Sequence, residues 1–254
     1  MEGRIISLQA DGLNLAGRVY FPAAKGPAPA LCICHGIPTA QYEPMDRRYP
    51  ALAERFCAAG FVTLIFNFRG AGQSQGNFDI LGWTRDLRAA LDHLVALDEV
   101  DGARLCLMGS SGGGAVSVCV AADDPRVRCL VLLACPADFD TVLEPGHAKP
   151  MVDYMRSVGL IRDKGFPASA EAWVEGFRVV RPVDCIERIS PRPVLIVHGE
   201  GDTTVPVEQA RRLYARAKEP KELVIMPGGS HRLRLEEAAV NTALDWLRKQ
   251  TRVR

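Results

Sequence analysis

Apolar residues along this chain fall into short runs that alternate with segments of helical period. The runs 30–34 and 61–66 are continuously apolar apart from a threonine, which is typical of strands buried on both faces. Between residues 83 and 97, leucines recur at helical spacing and predict a helix with one face turned inward. Strands that alternate with helices predict an α/β fold with a mostly parallel, doubly wound sheet.

An antiparallel hairpin is predicted at the start of the chain. Residues 4–8 and 13–21 have the pattern of strands, and the Asp11-Gly12 pair between them is a strong hairpin signal. The remaining predicted strands are one that stops at Gly109, then 127–134, 193–197 and 222–226. The remaining predicted helices are 49–59, 115–122, 207–217 and 233–249.

The region 136–190 interrupts this alternation, because it contains no clear buried strand. Residues 151–155 and 173–177 have the pattern of short amphipathic helices. An unstructured connection of this length is uncommon, so we predict a helical insertion within a single domain of residues 1–254. Its methionine and aromatic side chains either line a pocket or only anchor the insertion to the sheet.

Composition and charge exclude several classes of partner. The 254 residues include 31 Lys and Arg against 30 Asp and Glu, a net charge of +1. This balance provides no electrostatic basis for binding nucleic acid or an anionic membrane. No stretch approaches the roughly 18 apolar residues of a membrane span, and residues 1–10 do not resemble a secretory leader.

The eight cysteines do not form a recognisable metal or disulfide framework. Five of them lie in apolar runs predicted to be buried: Cys32, Cys34, Cys106, Cys119 and Cys129. There is no Cys-x-x-Cys pair and no zinc-like His and Cys spacing. We therefore expect a reduced, cytoplasmic protein, with paired disulfides as the alternative.

The first candidate for chemistry is the sequence Gly109-Ser-Ser111-Gly-Gly113, which lies between a predicted strand and a predicted helix. A Gly-x-Ser-x-Gly pattern in this context places the central serine on a strained turn, with its hydroxyl exposed above the sheet. Ser111 is therefore the candidate nucleophile. The alternative is a glycine-rich helix start that only packs closely against the sheet.

A serine nucleophile needs a base, and His231 is the histidine best placed for this role. It lies in a glycine-rich loop between the last predicted strand and the last predicted helix. His35 and His198 each precede a glycine at a strand end, which indicates that they fix turns by hydrogen bonding. His93 is predicted to be solvated, and His147 falls in the insertion.

An orienting acid for that base is predicted at Asp202, in the turn after the penultimate strand. The alternative for Asp202 is an Asx turn or a helix cap. Asp138 and Asp140, which follow an earlier strand, are the rival acids. The chain order Ser111, Asp202, His231 is that of the α/β-hydrolase triad.

These motifs together resemble the α/β-hydrolase superfamily across nearly the whole chain. The matching segments are His35-Gly36, Asn67 to Ser74, Gly109 to Gly113, His198 to Asp202, and Gly229 to His231. Asn67 stands where many members have aspartate, as in an esterase- and peptidase-like branch. The resemblance implies the α/β-hydrolase fold, a helical lid at 136–190, and an oxyanion hole formed by the N–H groups of Ile37 and Gly112.

The same resemblance implies a serine hydrolase, with a small-molecule carboxylic ester of small to medium acyl chain as substrate. It implies no cofactor and no metal. A peptidase of aminopeptidase or prolyl-oligopeptidase type, or a thioesterase, remains an alternative, and a non-catalytic small-ligand-binding protein is more remote. A further alternative is a nucleotide-dependent oxidoreductase that binds NAD(P)H. It is based only on a near match to Gly-x-Gly-x-x-Gly at residues 70–76. The protein itself is among the expected partners, as the second subunit of a homodimer.

Overall fold

The structure is a computed structural model in which residues 3–24, 26–39 and 48–252 are described. The predicted domain of residues 1–254 also includes residues 1–2, 25, 40–47 and 253–254, which lie outside this description. No helix in the described ranges is long and apolar enough to cross a membrane.

One eight-stranded sheet, built from the described residues, forms the centre of the molecule. Its strands are β1 (Arg4–Ala10), β2 (Leu13–Tyr20), β3 (Ala28–Cys34), β4 (Val62–Phe66), β5 (Val100–Ser110), β6 (Val127–Leu133), β7 (Val194–Gly199) and β8 (Lys221–Met226). The spatial order is β1-β2-β4-β3-β5-β6-β7-β8. Only the β1–β2 and β2–β4 pairs are antiparallel, so the mostly parallel sheet with an initial hairpin is confirmed.

The hairpin turn has the backbone conformation that its two residues favour. Asp11 has φ 51° and Gly12 has φ 75°, so both central residues are left-handed. Two left-handed residues produce the tight turn whose twist matches paired strands, and Asp-Gly adopts it readily. The register pairs Ala10 with Leu13 directly across the turn.

The helices flank the sheet and mostly lie within two or three residues of the predicted bounds. They are α1 (Arg48–Ala58), α2 (Ile80–Val95), α3 (Gly112–Asp123), α4 (Ala148–Ser157), α5 (Ala170–Val179), α6 (Pro182–Cys185), α7 (Val207–Arg216) and α8 (Glu237–Thr251). Short 3-10 turns occupy Asp140–Leu143, Ile186–Ile189 and Leu233–Leu235. The predicted final helix therefore begins four residues late, because its first turn is a separate 3-10 turn.

Two hydrophobic cores, one on each face of the sheet, confirm the doubly wound architecture. Alternate residues of β3 supply different cores, with Cys32 in one and Leu31 and Ile33 in the other. The first core includes buried residues of α2, α3 and α7, and the second includes those of α1 and α8. Burial on both faces explains why the central strands are continuously apolar in sequence.

The segment 136–190 contains α4, α5 and α6 with short 3-10 turns. It is helical, as the lack of a buried-strand pattern in this region predicts. Trp173 and Phe177 of α5 are buried, and their rings pack edge-on against Phe78 at centroid distances of 5.8 and 6.0 Å. The Trp173 indole also donates a hydrogen bond of 2.9 Å to the Phe78 carbonyl. These side chains therefore anchor the segment to the domain. A lid function for the segment stays a prediction.

Candidate active site

Ser111 lies at the junction between β5 and α3, on the turn that the sequence pattern predicted. Its backbone has φ 52° and ψ −127°, a conformation that costs free energy for any residue other than glycine. The turn is held because the Ser111 N–H donates to the Leu133 carbonyl at 2.9 Å. The Ser111 hydroxyl is thereby directed away from the strand and toward the carboxyl edge of the sheet.

Glycines make this turn sterically possible at two points. A Cβ at Gly36 would lie 2.9 Å from the Ser111 Cβ, and one at Gly113 would lie 2.1 Å from the His35 carbonyl oxygen. A Cβ at Gly114 would lie 3.1 Å from the Cys135 side chain, so this residue too is close-packed. Gly36 and Gly113 therefore leave room for the Ser111 turn, and Gly114 allows α3 to pack closely against Cys135. Both interpretations of this glycine-rich stretch apply.

His231 joins Ser111 and Asp202 into one chain of hydrogen bonds. Its Nε2 lies 3.1 Å from the Ser111 hydroxyl oxygen, and its Nδ1 lies 2.7 Å from Asp202 Oδ2. The three residues are up to 120 positions apart in sequence, and they follow β5, β7 and β8 at one edge of the sheet. This arrangement can move a proton from a serine hydroxyl to an imidazole that a carboxylate orients.

The Asp202 carboxylate is buried, yet it is held in its ionised form. Burial alone would raise the pKa of the Asp202 carboxyl. Hydrogen bonds from the His198 and His231 rings, with a backbone N–H, outweigh burial and hold that pKa well below its usual value. A carboxylate charged at neutral pH is the form that stabilises a protonated His231.

Asp202 also forms the turn that was its alternative interpretation. Its Oδ1 accepts hydrogen bonds of 2.8 Å from the backbone N–H groups of Thr204 and Val205. Its other oxygen, Oδ2, remains for His231. The Asx turn therefore fixes the carboxylate in orientation and does not compete with its contact to the imidazole.

His198 supports the same carboxylate from inside the fold. Its side chain is fully buried, with Nε2 at 2.8 Å from the Val205 carbonyl and 3.4 Å from Asp202 Oδ2. A carbonyl only accepts, so Nε2 carries the proton and donates it to Val205, and Asp202 Oδ2 lies beside the same N–H. The prediction that His198 fixes a turn is correct, although the residue belongs to β7 and not to the turn itself.

The loop that carries His231 is attached to the turn that carries Asp202. The Gly201 N–H donates to the Gly229 carbonyl at 2.9 Å. A Cβ at Gly199 would lie only 2.3 Å from that same carbonyl oxygen, so the two loops approach at backbone contact. This contact aligns His231 with Asp202.

The predicted oxyanion donors lie side by side next to Ser111. Gly112 is the first residue of α3, where backbone N–H groups have no carbonyl one turn earlier to bond. A Cβ at Gly112 would lie 2.8 Å from Ile37 Cγ1 and 3.6 Å from the Ile37 nitrogen. Two backbone donors near a serine hydroxyl form a cradle suited to a developing oxyanion.

Replacing Gly112 with alanine tests this cradle. The added Cβ overlaps Ile37 Cγ1, so we expect the Ile37 turn to move away and kcat for ester hydrolysis to fall about 10²-fold. The double variant Gly112→Ala/Ile37→Ala removes the overlap and should recover most of the activity. Equal activity of Gly112→Ala and the wild type in steady-state assays would contradict the assignment.

His35 lies in the turn before Ile37 but is not a base. Its Nε2 accepts from the Phe68 N–H at 3.1 Å, and its Nδ1 lies 2.7 Å from the Gly36 carbonyl. The ring packs edge-on against Phe68 and Trp83. Burial lowers the pKa of His35 to about 4, so it is neutral at physiological pH and fixes the turn as predicted.

The lowered pKa of His35 predicts a pH dependence of stability. The unfolded chain binds a proton at His35 near pH 6.5, whereas the folded protein does not until about pH 4. The free energy of unfolding should therefore decrease by about 3 kcal/mol as pH falls through this interval. His35→Gln should flatten this part of the profile in thermal melts. Parallel profiles for the variant and the wild type would show that the interpretation is wrong.

His93 differs from its prediction. It lies on α2 and is partly buried instead of solvated, and its Nε2 has no hydrogen-bond partner among the described residues. Burial lowers the pKa of this imidazole. The ring that contacts Ser111 and Asp202 is that of His231, so His93 does not supply the base.

The rival acids are engaged elsewhere. Asp138 is buried, with Oδ2 at 2.5 Å from Arg212 Nη2, and Asp140 pairs with Arg181 at 3.0 Å. Asp202 is the acid whose carboxylate contacts the His231 ring in the described structure. The geometry therefore favours Asp202 among the three candidates.

The turn at residues 70–76 does not support a dinucleotide site. No helix begins at this turn, since α2 starts only at Ile80. The Gly70 and Gly72 carbonyls instead accept hydrogen bonds of 3.0 and 2.8 Å from the Arg162 guanidinium. A phosphate-binding glycine loop needs its N–H groups directed into a helix start, so the oxidoreductase alternative lacks its structural context.

Tyr49 is a neighbour of the site that the sequence did not reveal. It lies in the first turn of α1, and hydrogen bonds link it to Gly36, Ser110 and Arg234. Its ring also contacts His35 at a centroid distance of 6.1 Å. Tyr49 therefore packs the oxyanion turn against the nucleophile strand, a contact that no local pattern signals.

No group of three or more His, Cys, Asp or Glu side chains in the described ranges is arranged to hold a metal ion. The cysteine prediction needs one correction, because Cys119 is partly exposed and not fully buried. Cys32, Cys34, Cys106 and Cys129 are buried as predicted.

The comparison with protein families agrees with these features. Residues 49–254 match the model of the prolyl oligopeptidase family, described also as peptidase family S9. The chain belongs to this family. A relative from Mycobacterium tuberculosis, which is named as an uncharacterized protein, is 32% identical over 226 residues. That match spans 87% of this chain and 69% of the relative.

Solved structures similar to this family member have the predicted fold. The α/β hydrolase GrgF from Penicillium sp. sh18 matches with a TM-score of 0.78 and 23% identity, over 99% of this chain and 100% of that chain. An esterase domain of a Rhodothermus marinus protein matches with a TM-score of 0.70 and 22% identity, over 97% and 96%. The α/β-hydrolase fold is therefore confirmed.

Proposed function

We propose that this protein is a serine hydrolase that cleaves carboxylic esters of small to medium acyl chain through an acyl-enzyme. The observation that carries the proposal is the hydrogen-bonded chain from Asp202 through His231 to Ser111, with distances of 2.7 and 3.1 Å. These distances lie within the range required of a nucleophile, its base and the group that orients the base.

In the first step, Ser111 Oγ attacks the ester carbonyl carbon while His231 Nε2 takes the hydroxyl proton. Asp202 stays ionised and stabilises the imidazolium that forms. The N–H groups of Ile37 and Gly112 donate to the oxyanion of the tetrahedral intermediate. The imidazolium then donates its proton to the departing alkoxide, which leaves as the alcohol.

In the second step, water attacks the acyl-enzyme. His231 Nε2 removes a proton from the water, and the second tetrahedral intermediate collapses to release the carboxylic acid. Ser111 Oγ recovers its proton from the imidazolium, so the enzyme returns to its starting state. These residues alone account for every proton and every bond in the cycle.

A peptidase is the second candidate, favoured by the match to the prolyl oligopeptidase family. The same triad attacks esters and amides, so the discrimination depends on the substrate pocket and not on Ser111. Support for an ester comes from the similar solved esterase domain of Rhodothermus marinus, an analogy of fold.

A matched substrate panel separates the two functions. Purified protein is assayed with p-nitrophenyl esters of increasing acyl length, with a thioester, and with aminoacyl and prolyl p-nitroanilides. We expect kcat/KM to be highest for a short or medium ester. Anilide turnover that exceeds ester turnover would replace this proposal with the peptidase.

A further inference from the structure

Two of the eight cysteines differ from the rest in their exposure. Cys119 and Cys185 are partly exposed, whereas the other six are buried. Cys119 lies on α3 and Cys185 is the last residue of α6. Neither has a part in the proposed hydrolysis.

The two partly exposed thiols contact each other. The two side chains interact although 66 positions separate them along the sequence, because α3 packs against α6 at this point. Both side chains also pack against the first hydrophobic core, so the thiol pair lies at the edge of a packed part of the fold.

A cation distinguishes the two sulfurs. The Arg188 side chain is hydrogen-bonded to Cys185 and pairs with Asp123 Oδ1 at 2.9 Å. Interaction with the Cys119 thiol, and then with the Arg188 guanidinium, outweighs burial and lowers the pKa of the Cys185 thiol to about 6. Asp123 opposes this effect weakly, and the pKa of Cys119 is raised.

We propose that Cys185 and Cys119 form a redox-modifiable dithiol, in which a peroxide oxidises Cys185 and Cys119 then closes a disulfide with it. A partly exposed thiolate with a second thiol in contact has the features of a reversible oxidation site. The six buried thiols lack this access.

The chemistry balances with hydrogen peroxide as the oxidant. The Cys185 thiolate attacks one peroxide oxygen, the O–O bond breaks, and hydroxide leaves and is protonated to water. The resulting sulfenic acid is attacked by the Cys119 sulfur, which forms the S–S bond and breaks the S–O bond. The departing hydroxyl takes the Cys119 proton and leaves as a second water. An external thiol reverses the change by exchange.

The site is separate from the proposed hydrolytic machinery. Cys119 lies eight residues beyond Ser111 along α3, a distance of about 12 Å at 1.5 Å per residue. Loss of either thiol should therefore leave ester hydrolysis near the wild-type level. The hydrolase proposal and the dithiol proposal therefore stand or fail separately, and each is tested by its own experiment.

Native-state labelling with iodoacetamide tests the assignment of the two sulfurs. We expect Cys185 to be alkylated at pH 7 at least 10-fold faster than Cys119, by the ordinary dependence of rate on the thiolate fraction. The variant Arg188→Gln should slow alkylation of Cys185 about 10-fold. Alkylation of Cys119 before Cys185, or no effect of Arg188→Gln, would overturn the assignment.

Peroxide treatment followed by peptide mass spectrometry tests the disulfide. In the wild type, we expect a linked Cys119–Cys185 peptide pair, lighter by two hydrogen atoms, that dithiothreitol separates. In Cys119→Ser, the sulfenic acid at Cys185 should react with dimedone and proceed to sulfinic acid. Cys185→Ser should give neither product. Sulfinic acid at Cys185 in the wild type without any disulfide would refute the proposal, and thermal melts verify that the variants fold.

Discussion

Replacement of Ser111 by alanine is expected to lower kcat for ester hydrolysis by about 10⁴–10⁶-fold, because it removes the atom that forms the acyl-enzyme. The adjacent Ser110 provides a matched control, since it shares the same strand end and the same glycine-rich surroundings. Ser110→Ala removes a hydrogen bond to Tyr49 but keeps the nucleophile, so it should lower hydrolysis far less than Ser111→Ala does. Rates are measured with a p-nitrophenyl ester under saturating conditions.

Covalent labelling tests Ser111 as the nucleophile without the choice of a substrate. A fluorophosphonate probe should label the wild type and Ser110→Ala, and peptide mapping should locate the adduct at Ser111. Ser111→Ala should not be labelled. Full labelling and full esterase activity in Ser111→Ala would show that another nucleophile acts.

The second large effect is expected from Asp202→Asn, about a 10⁴-fold loss of kcat. Asparagine cannot stabilise the imidazolium of His231, and its amide can donate to Nδ1 and reverse the tautomer. Because His198 and the turn N–H groups still contact this side chain, we expect the fold to persist. Circular dichroism at pH 7 checks this.

Asp138→Asn is the matched control for the acid. Asp138 is equally buried and follows a neighbouring strand, but its carboxylate pairs with Arg212 instead of a histidine. We expect its kcat to stay within a few-fold of the wild type. A larger loss in Asp138→Asn than in Asp202→Asn would reverse the assignment of the acid.

The low pKa of Asp202 also determines how acid affects the protein. The folded state holds this carboxylate ionised below the ordinary aspartate pKa of about 3.9, so it contributes stability above that pH. That contribution is lost as pH falls below it. The two titrations are therefore separate, with His35 acting between about pH 6.5 and 4 and Asp202 below it.

Much of the fold could be predicted because buried parallel strands have a simple sequence pattern. β3, β4 and β6 are covered on both faces, so their apolar runs are continuous and short. The start of α3 is harder to predict from the sequence, because its first three residues are glycines with poor intrinsic helix propensity. Packing against Cys135 and the β3 turn overrides that propensity.

The exposure of single side chains was harder to predict than the elements that carry them. His93 lies off the apolar stripe of α2 but is partly covered, and Cys119 lies within an apolar run but is partly exposed. Each outcome depends on which neighbouring element happens to pack over that residue. Helical periodicity predicts the direction in which a side chain points, but not which neighbouring element covers it.

The sequence by itself determined the elements, their alternation and the three turns that carry Ser111, Asp202 and His231, because these follow from local spacing and composition. Only the tertiary structure decided that His231 contacts both partners, that His198 supports Asp202, and that Cys119 meets Cys185 beside Arg188. Those contacts join residues far apart along the chain, and their distances depend on how the strands and helices pack. Parallel strands bring their carboxyl ends to one edge, and packing then sets the few ångströms on which the chemistry depends.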